Sequence, residues 1–258
     1  MELKSEIIEG FLAYFDIQGF SNSLKSSDFT ENIQKYCNFL DDSTIRRNLN
    51  YNFFSDSVVI YTKKVDNESF FNLIQAVSEI YNLLLLELGL VICGGISCGK
   101  FTIHENNGNK IIAGTPMVDA VQHEQKQNWI GVMISPEVIK KVSVFGTMIQ
   151  NELHKGTAEK IGKKLKPLAW YAYLKKAMIP IKVEDNETYM NGFAIFPNPP
   201  NITNGLDVLE NLREVAIKLE YLKYSAPNPK VVKKLDRTRS LILSDEMYWE
   251  NMVGVELF

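Results

Sequence analysis

The sequence predicts an α+β fold: an antiparallel-rich sheet with helices packed on one face. Three observations predict it. Segments with strand and helix periods follow one another in the order β-α-β-β-α-β-β-α-β-α. Two pairs of strand-like segments are joined by short turns, Ser55-Asp56 and Asn106-Asn107-Gly108-Asn109, which suit hairpins rather than crossovers. The helical segments are amphipathic, as layers packed on a sheet must be.

The first element is the apolar run Phe11-Leu12-Ala13-Tyr14-Phe15, whose aromatic residues mark a buried strand. It delivers a bare carboxylate, Asp16, at its end. Gly19 follows, where the chain turns sharply or lets something approach closely. Residues 21–40 read as a helix, because Phe29, Ile33, Tyr36, Cys37 and Leu40 recur at three- and four-residue spacings, with Ser27 or Asp28 as N-cap. Strands at 50–54 and 57–63 flank the Ser55-Asp56 turn, although Ser-Asp is not the favoured Asn-Gly type. A long helix over 69–87 carries Phe70, Leu73, Ile74, Val77, Ile80, Tyr81 and Leu84 on a wide apolar face, and Gly89 ends it. A strand over 90–103 passes through Gly94-Gly95 and turns back into a strand over 110–113. Pro116 opens a helix over 116–126, residues 131–135 form a strand, and Pro136 opens a short helix.

Beyond residue 150, residues 170–174 and 191–196 read as strands and Pro197-Asn198-Pro199-Pro200 as a loop. Amphipathic helices are expected over 204–223 and 228–243. The expected organisation is a core over residues 1–150 and an elaboration of the same domain over 151–258, packed on the core or on a partner subunit. The basic run from Lys155 to Lys166 is a solvated face or a source of a lysine for a phosphate.

Asp16 and Asp56 carry the chemistry. Each stands at the lip of an apolar strand. A lone strand-end aspartate is an ordinary turn cap. Two together suit a paired-carboxylate metal site, because Mg²⁺ is held by one or two carboxylates plus substrate phosphates, and two such ions can clamp a phosphoryl transfer. Gly94-Gly95-Ile96-Ser97-Cys98-Gly99-Lys100 meets most of the phosphate-loop pattern G-x-x-x-x-G-K, but Phe101 stands where the motif needs Ser or Thr, and no helix follows. Its glycines are better read as permitting close approach across a sheet.

Phe15-Asp16-Ile17-x-Gly19-Phe20, and Phe54-Ser55-Asp56-Ser57 forty positions on, resemble the two metal motifs of class III nucleotide cyclases. Gly94-Gly95-Ile96-Ser97-Cys98-Gly99 resembles the glycine-containing central strand of that family. Gly114-Thr115-Pro116, leading to Ala120 and Glu124, resembles its strand-to-helix junction. Within the class these motifs look most like the pyrimidine (uridylate or cytidylate) cyclases of bacterial Pycsar antiphage systems. The resemblance covers residues 8–145. It implies a class III cyclase palm-like core with a C-terminal helical elaboration, and a homodimer with shared active sites. It implies that Asp16, Asp56 and the Ile17 carbonyl ligate two Mg²⁺ or Mn²⁺ ions per active site. It implies that the chain makes a 3′,5′-cyclic pyrimidine monophosphate from UTP or CTP.

By the same resemblance Asn52, four before Asp56, helps choose the base. It is neither the lysine nor the glutamate of adenine and guanine readers. Its amide both donates and accepts, as a pyrimidine edge requires. Tyr51 resembles the uracil-type choice of the pyrimidine cyclases; alternatively it packs against the sheet. Phe20 completes the expected substrate-binding set. Val118 and Gln122 fall where purine cyclases place an Asn and an Arg, and Ile111 where they place a base-reading Asp. Those departures argue against an adenylate or guanylate cyclase and leave open a catalytically degenerate nucleotide-binding or interaction domain.

Composition bounds the rest. A hydrophobic fraction of 45% and a charged fraction of 23% over 258 residues are those of a globular chain with a sizeable core. The net charge of −3 gives no footprint for nucleic acid or an anionic membrane. The N-terminal residues lack a signal-peptide pattern, and no apolar run is expected to reach the length of a membrane span. Cys37, Cys93 and Cys98 are expected as free thiols in a reducing cytoplasm, and His104, His123 and His154 lack metal-ligand spacing.

Overall fold

The structure, a computed structural model, describes residues 4–20, 29–106, 109–142, 178–185, 188–195, 205–226 and 228–256. Its strands are β1 (Lys4–Gln18), β2 (Asn50–Phe54), β3 (Ser57–Tyr61), β4 (Val91–Asn106), β5 (Asn109–Gly114), β6 (Gly131–Ile134), β7 (Met178–Asp185) and β8 (Thr188–Ile195). Its helices are α1 (Phe29–Ile45), α2 (Asn67–Leu86), α3 (Thr115–Lys126), α4 (Pro136–Lys141), α5 (Gly205–Ser225) and α6 (Pro229–Glu256). The strands form one sheet in the order β2-β3-β1-β4-β6-β8-β7, with β5 paired to β4 off that path. Among the described strands only β4 and β6 pair in parallel, so the expected antiparallel-rich sheet is what forms.

β1 is central because its residues suit burial on both faces. It pairs with β4 from Lys4↔Glu105 to Gln18↔Val91, and with β3 from Leu12↔Tyr61 to Asp16↔Ser57. Strand alternation then divides its side chains. Phe11, Ala13, Phe15 and Ile17 enter the main core with α1 and α2. Phe11 meets Phe70 of α2 edge to face at 5.4 Å. Leu12 and Tyr14 point the other way, into a smaller cluster with Val59, Tyr61, Phe101 and Ala120. Burying each such aromatic side chain stabilises the fold by roughly 1.5–3 kcal/mol.

Several expectations need correction. Helices do not occupy one face alone: Ala120 and Met117 of α3 pack on the smaller cluster, opposite α1 and α2. Gly95 permits this, since a Cβ there would lie 2.8 Å from the Ala120 carbonyl oxygen and 2.8 Å from His123 Cβ. Asp16 is not the last residue of its strand, because backbone pairing to β4 continues through Gln18. β1 also begins before the apolar run, at Lys4. The strand β7 was not expected; with β8 it extends the same sheet through β6.

α2 contradicts the expectation that nothing reaches spanning length. An 18-residue stretch of its 20 residues has a mean hydropathy of 1.3, which meets the length and composition of a membrane span. The reason is that α2 is buried between the sheet and other helices, so apolar residues surround its axis instead of forming one stripe. Asp66 caps it, accepting from Ser69 N at 2.7 Å. Its fully buried Glu79 pairs with Arg47, and with Arg46 at 3.4 Å.

The expected start of the first helix at 21–28, the turn residues 107–108, the basic run 155–166, the strand 170–174, the loop 197–200 and the 150/151 boundary lie outside the described residues.

Candidate active site

Three segments meet at one end of the sheet: the end of β1, the β2–β3 hairpin and the start of β4. Asp16 is the cross-strand partner of both Ser57 and Cys93. Ile17 N donates to Asp56 O at 2.8 Å, which fastens the hairpin tip to β1. That bond brings together two aspartates forty positions apart in sequence. Ser55 turns the hairpin with a φ of 57°. A left-handed backbone costs a residue with a side chain about 1–2 kcal/mol, and such strain clusters at sites that need a fixed geometry.

The Asp16 carboxylate is half-buried. Gln18 Nε2 donates to its Oδ2 at 2.6 Å. Ser57 Oγ donates to Oδ1 at a long 3.5 Å and lies 3.2 Å from Tyr14 Oη. Burial, and then the charges of Asp56 and Glu124, push the Asp16 pKa up to about 6, while Ser57 and Lys234 act in the opposite direction. Glu124 of α3 is raised as well, by burial, with Lys234 again opposing. Carboxylates that repel one another in a half-buried corner hold a potential suited to a divalent cation. Two carboxylates with a backbone carbonyl make a hard oxygen set, which fits Mg²⁺ or Mn²⁺. Among the described residues, no three His, Cys, Asp or Glu side chains form a closed cage, so phosphate and water oxygens would complete the shell.

The proposed base readers separate. In β2, Asn52 is opposite Val59, on the Asp16 face of the sheet. Tyr51 is opposite Ile60, on the α1–α2 face. Its hydroxyl donates to Asp41 Oδ1 of α1 at 2.7 Å. Burial, and then this bond, push its pKa up to about 12. Phe20 is also on that face, buried edge to face against Phe53 at 6.3 Å. It lines a small apolar cleft with Ile17, Tyr36 and Leu84. The structure therefore joins Asp16, Asp56 and Ile17, places Asn52 on their side, and puts Tyr51 and Phe20 on the other. Val118, Gln122 and Ile111 are all exposed.

Sequence reasoning missed Gln18, Ser57 and Tyr14 as partners of Asp16. Strand alternation could have found Gln18 and Tyr14, each two residues away on the same face. It also missed Lys234, for which no sequence signal existed, because only the docking of α6 brings it near.

No protein-family model matches the chain, and no curated protein matches it. Solved structures do. The guanylate cyclase domain of RhGC from Catenaria anguillulae, solved with GTP, superposes with a TM-score of 0.51 at 14% identity, over 75% of this chain and 99% of that one. The catalytic core of a rhodopsin-guanylyl cyclase with converted specificity, solved with ATPαS, gives 0.51 at 13% identity over 76% and 99%. A dimeric guanylyl cyclase domain of the RhoGC fusion protein from Blastocladiella emersonii gives 0.50 at 14% identity over 74% and 98%. The fold is that of a class III nucleotide cyclase domain. In this cyclase fold the two aspartates occupy the end of the central strand and the tip of its neighbouring hairpin. The shared fold covers 76% of the chain, more than residues 8–145 can supply, so the likeness runs beyond the motif-bearing segment.

Proposed function

We propose that the chain is a nucleotide cyclase. It converts a pyrimidine nucleoside triphosphate, UTP in preference to CTP, to its 3′,5′-cyclic monophosphate and diphosphate. The product serves as a second messenger in antiphage defence, made in the cytoplasm by a homodimer with shared sites. The observation that carries the reading is the convergence of Asp16 and Asp56, fastened by the Ile17–Asp56 backbone bond.

The 3′-oxygen attacks the α-phosphorus in line, the bond to the diphosphate oxygen breaks, and the hydroxyl proton is released. Two Mg²⁺ or Mn²⁺ ions, when bound, neutralise developing charge and lower the 3′-hydroxyl pKa. Asp16, Asp56 and the Ile17 carbonyl would hold them. Asp16 is set on a paired strand and Asp56 at the hairpin tip bonded to it, so their positions are fixed before substrate arrives. The Asn52 amide, on the Asp16 side, reads the base through one donor and one acceptor. Ile111, Val118 and Gln122, in place of the Asp, Asn and Arg of purine cyclases, argue against an ordinary adenylate or guanylate cyclase.

Exposed Val118 and Gln122, where purine cyclases carry an Asn and an Arg, also suit a second reading: a degenerate cyclase domain that binds nucleotide without turnover. Incubation with each of the four NTPs and Mn²⁺, followed by mass analysis, decides between them. The expected result is cyclic UMP as main product, and none from Asp16→Ala or Asp56→Ala. Absence of any cyclic product would leave the degenerate reading. A cyclic purine would overturn the base assignment alone.

A further inference from the structure

Lys234 lies on α6, more than two hundred positions after Asp16. Yet its Nζ approaches Cys93 Sγ at 3.8 Å, and Cys93 is the cross-strand partner of Asp16. The thiol is not the ammonium's counter-charge. Burial, foremost, pushes the Cys93 pKa up to about 11, so the group is neutral. Asp16 stands directly across the strand from that cysteine, and Glu124 shares the same corner, so the ammonium's field reaches both carboxylates.

The turn of α6 that carries Lys234 is anchored. Thr238, one turn further on and fully buried, accepts from Ile130 N at 2.7 Å. Its hydroxyl donates to the Lys234 carbonyl at 2.8 Å. Ile130 belongs to the loop between α3 and β6, which Gln127 braces by donating to Gly131 O at 2.8 Å. Leu235, next to Lys234, is buried in the main core. A lysine loses about 1.5–2 kcal/mol of rotamer freedom when ordered, so a half-buried one needs a compensating interaction.

We propose that Lys234 is a positioning residue, the internal counter-ion of the Asp16 site: its ammonium balances the carboxylates before a divalent cation binds, and opposes that cation's entry. The docking of α6 thereby sets the metal affinity of the site. This rests on reading Asp16 and Asp56 as metal ligands.

Mn²⁺ binding to the full chain, without nucleotide, tests it by the electron paramagnetic resonance signal of free Mn²⁺. Lys234→Met should tighten binding by roughly fivefold, the order of a Coulomb term between a monovalent and a divalent cation in a water-like dielectric. Lys234→Arg keeps the charge and should match the wild type. Thr238→Val, which frees the turn, should shift affinity the same way by less. Circular dichroism checks folding, and Lys234→Gln replaces the Met variant if that one does not fold. Unchanged or weaker Mn²⁺ binding in the neutral variant overturns the proposal, including the case where only nucleotide affinity falls. Equal Mn²⁺ binding by wild type and Asp16→Ala overturns the metal-site reading itself.

Discussion

Asp16 keeps its proton up to about pH 6, against an ordinary value of 3.8. The folded, metal-free protein therefore binds more protons than the unfolded chain between those values. Its stability is greatest below the unfolded pKa and declines as pH rises towards 6. Asp16→Asn keeps the shape and removes the charge. At pH 7.5 without metal it should raise Tm by a few degrees, with the gap closing below about pH 4. Thermal melts followed by circular dichroism check this, and a Tm at or below the wild-type value would count against the crowded-carboxylate picture. Base choice belongs to the same scale. Neighbouring residues of a strand face opposite ways, so Tyr51 and Asn52 cannot both look towards Asp16. Asn52→Leu should lower the UTP/CTP ratio of kcat/KM by about tenfold, or about 1.4 kcal/mol. Tyr51→Phe should leave the ratio in place and cost about 1 kcal/mol of stability through the lost bond to Asp41. The reverse pattern, read in steady-state kinetics and urea melts, would place base reading on the other face. The two aspartates were legible because each ends a sequence-visible apolar run. The separation of Tyr51 from Asn52 was legible in principle, by period two alone.

Between the residues and the molecule, the packing of α3 on β4 depends on one missing side chain. Gly95→Val would drive a Cβ into the Ala120 carbonyl and His123, at 2.8 Å each. The helix must move, at about 1–3 kcal/mol. Chemical denaturation should show a lowered midpoint, and since Glu124 rides on α3, Mn²⁺ affinity should change too. Wild-type stability in this variant would mean that α3 is not held by close approach. The resemblance of this stretch to a phosphate loop dissolves for the same reason: Gly94 to Lys100 lie wholly within β4. Element order and type followed from periodicity and turn residues. The early part of β1 did not, because Glu6 and Glu9 interrupt the apolar pattern and only pairing with β4 makes it strand. Nor did α3's choice of face, which sequence pattern leaves undetermined when both faces of a strand are apolar.

At the scale of the whole molecule, large apolar groups remain in solvent on the Asp16 side. Phe54 is 81% exposed, two residues from Asn52 on its face, and Val118 of α3 is 55% exposed. The second subunit of the proposed homodimer would cover them. If sites are shared between subunits, activity per chain should fall on dilution through the dimer dissociation range, by mass action. Sedimentation measured alongside turnover checks it, and constant specific activity in a demonstrated monomer refutes site sharing.

β1 is an interior strand of the sheet, and both its neighbours come later in the chain, β3 at Ser57–Tyr61 and β4 at Val91–Asn106. A ribosome therefore releases β1, with its apolar run Phe11–Phe15, before either of the strands that pair with it. At about 5–20 residues per second that interval lasts several seconds. Unpaired strand edges are templates for association with other chains. The nascent protein is thus most prone to aggregate before residue 106 is made, and its yield in cells should depend on holdase chaperones that shelter an open strand more than on the stability of the finished fold.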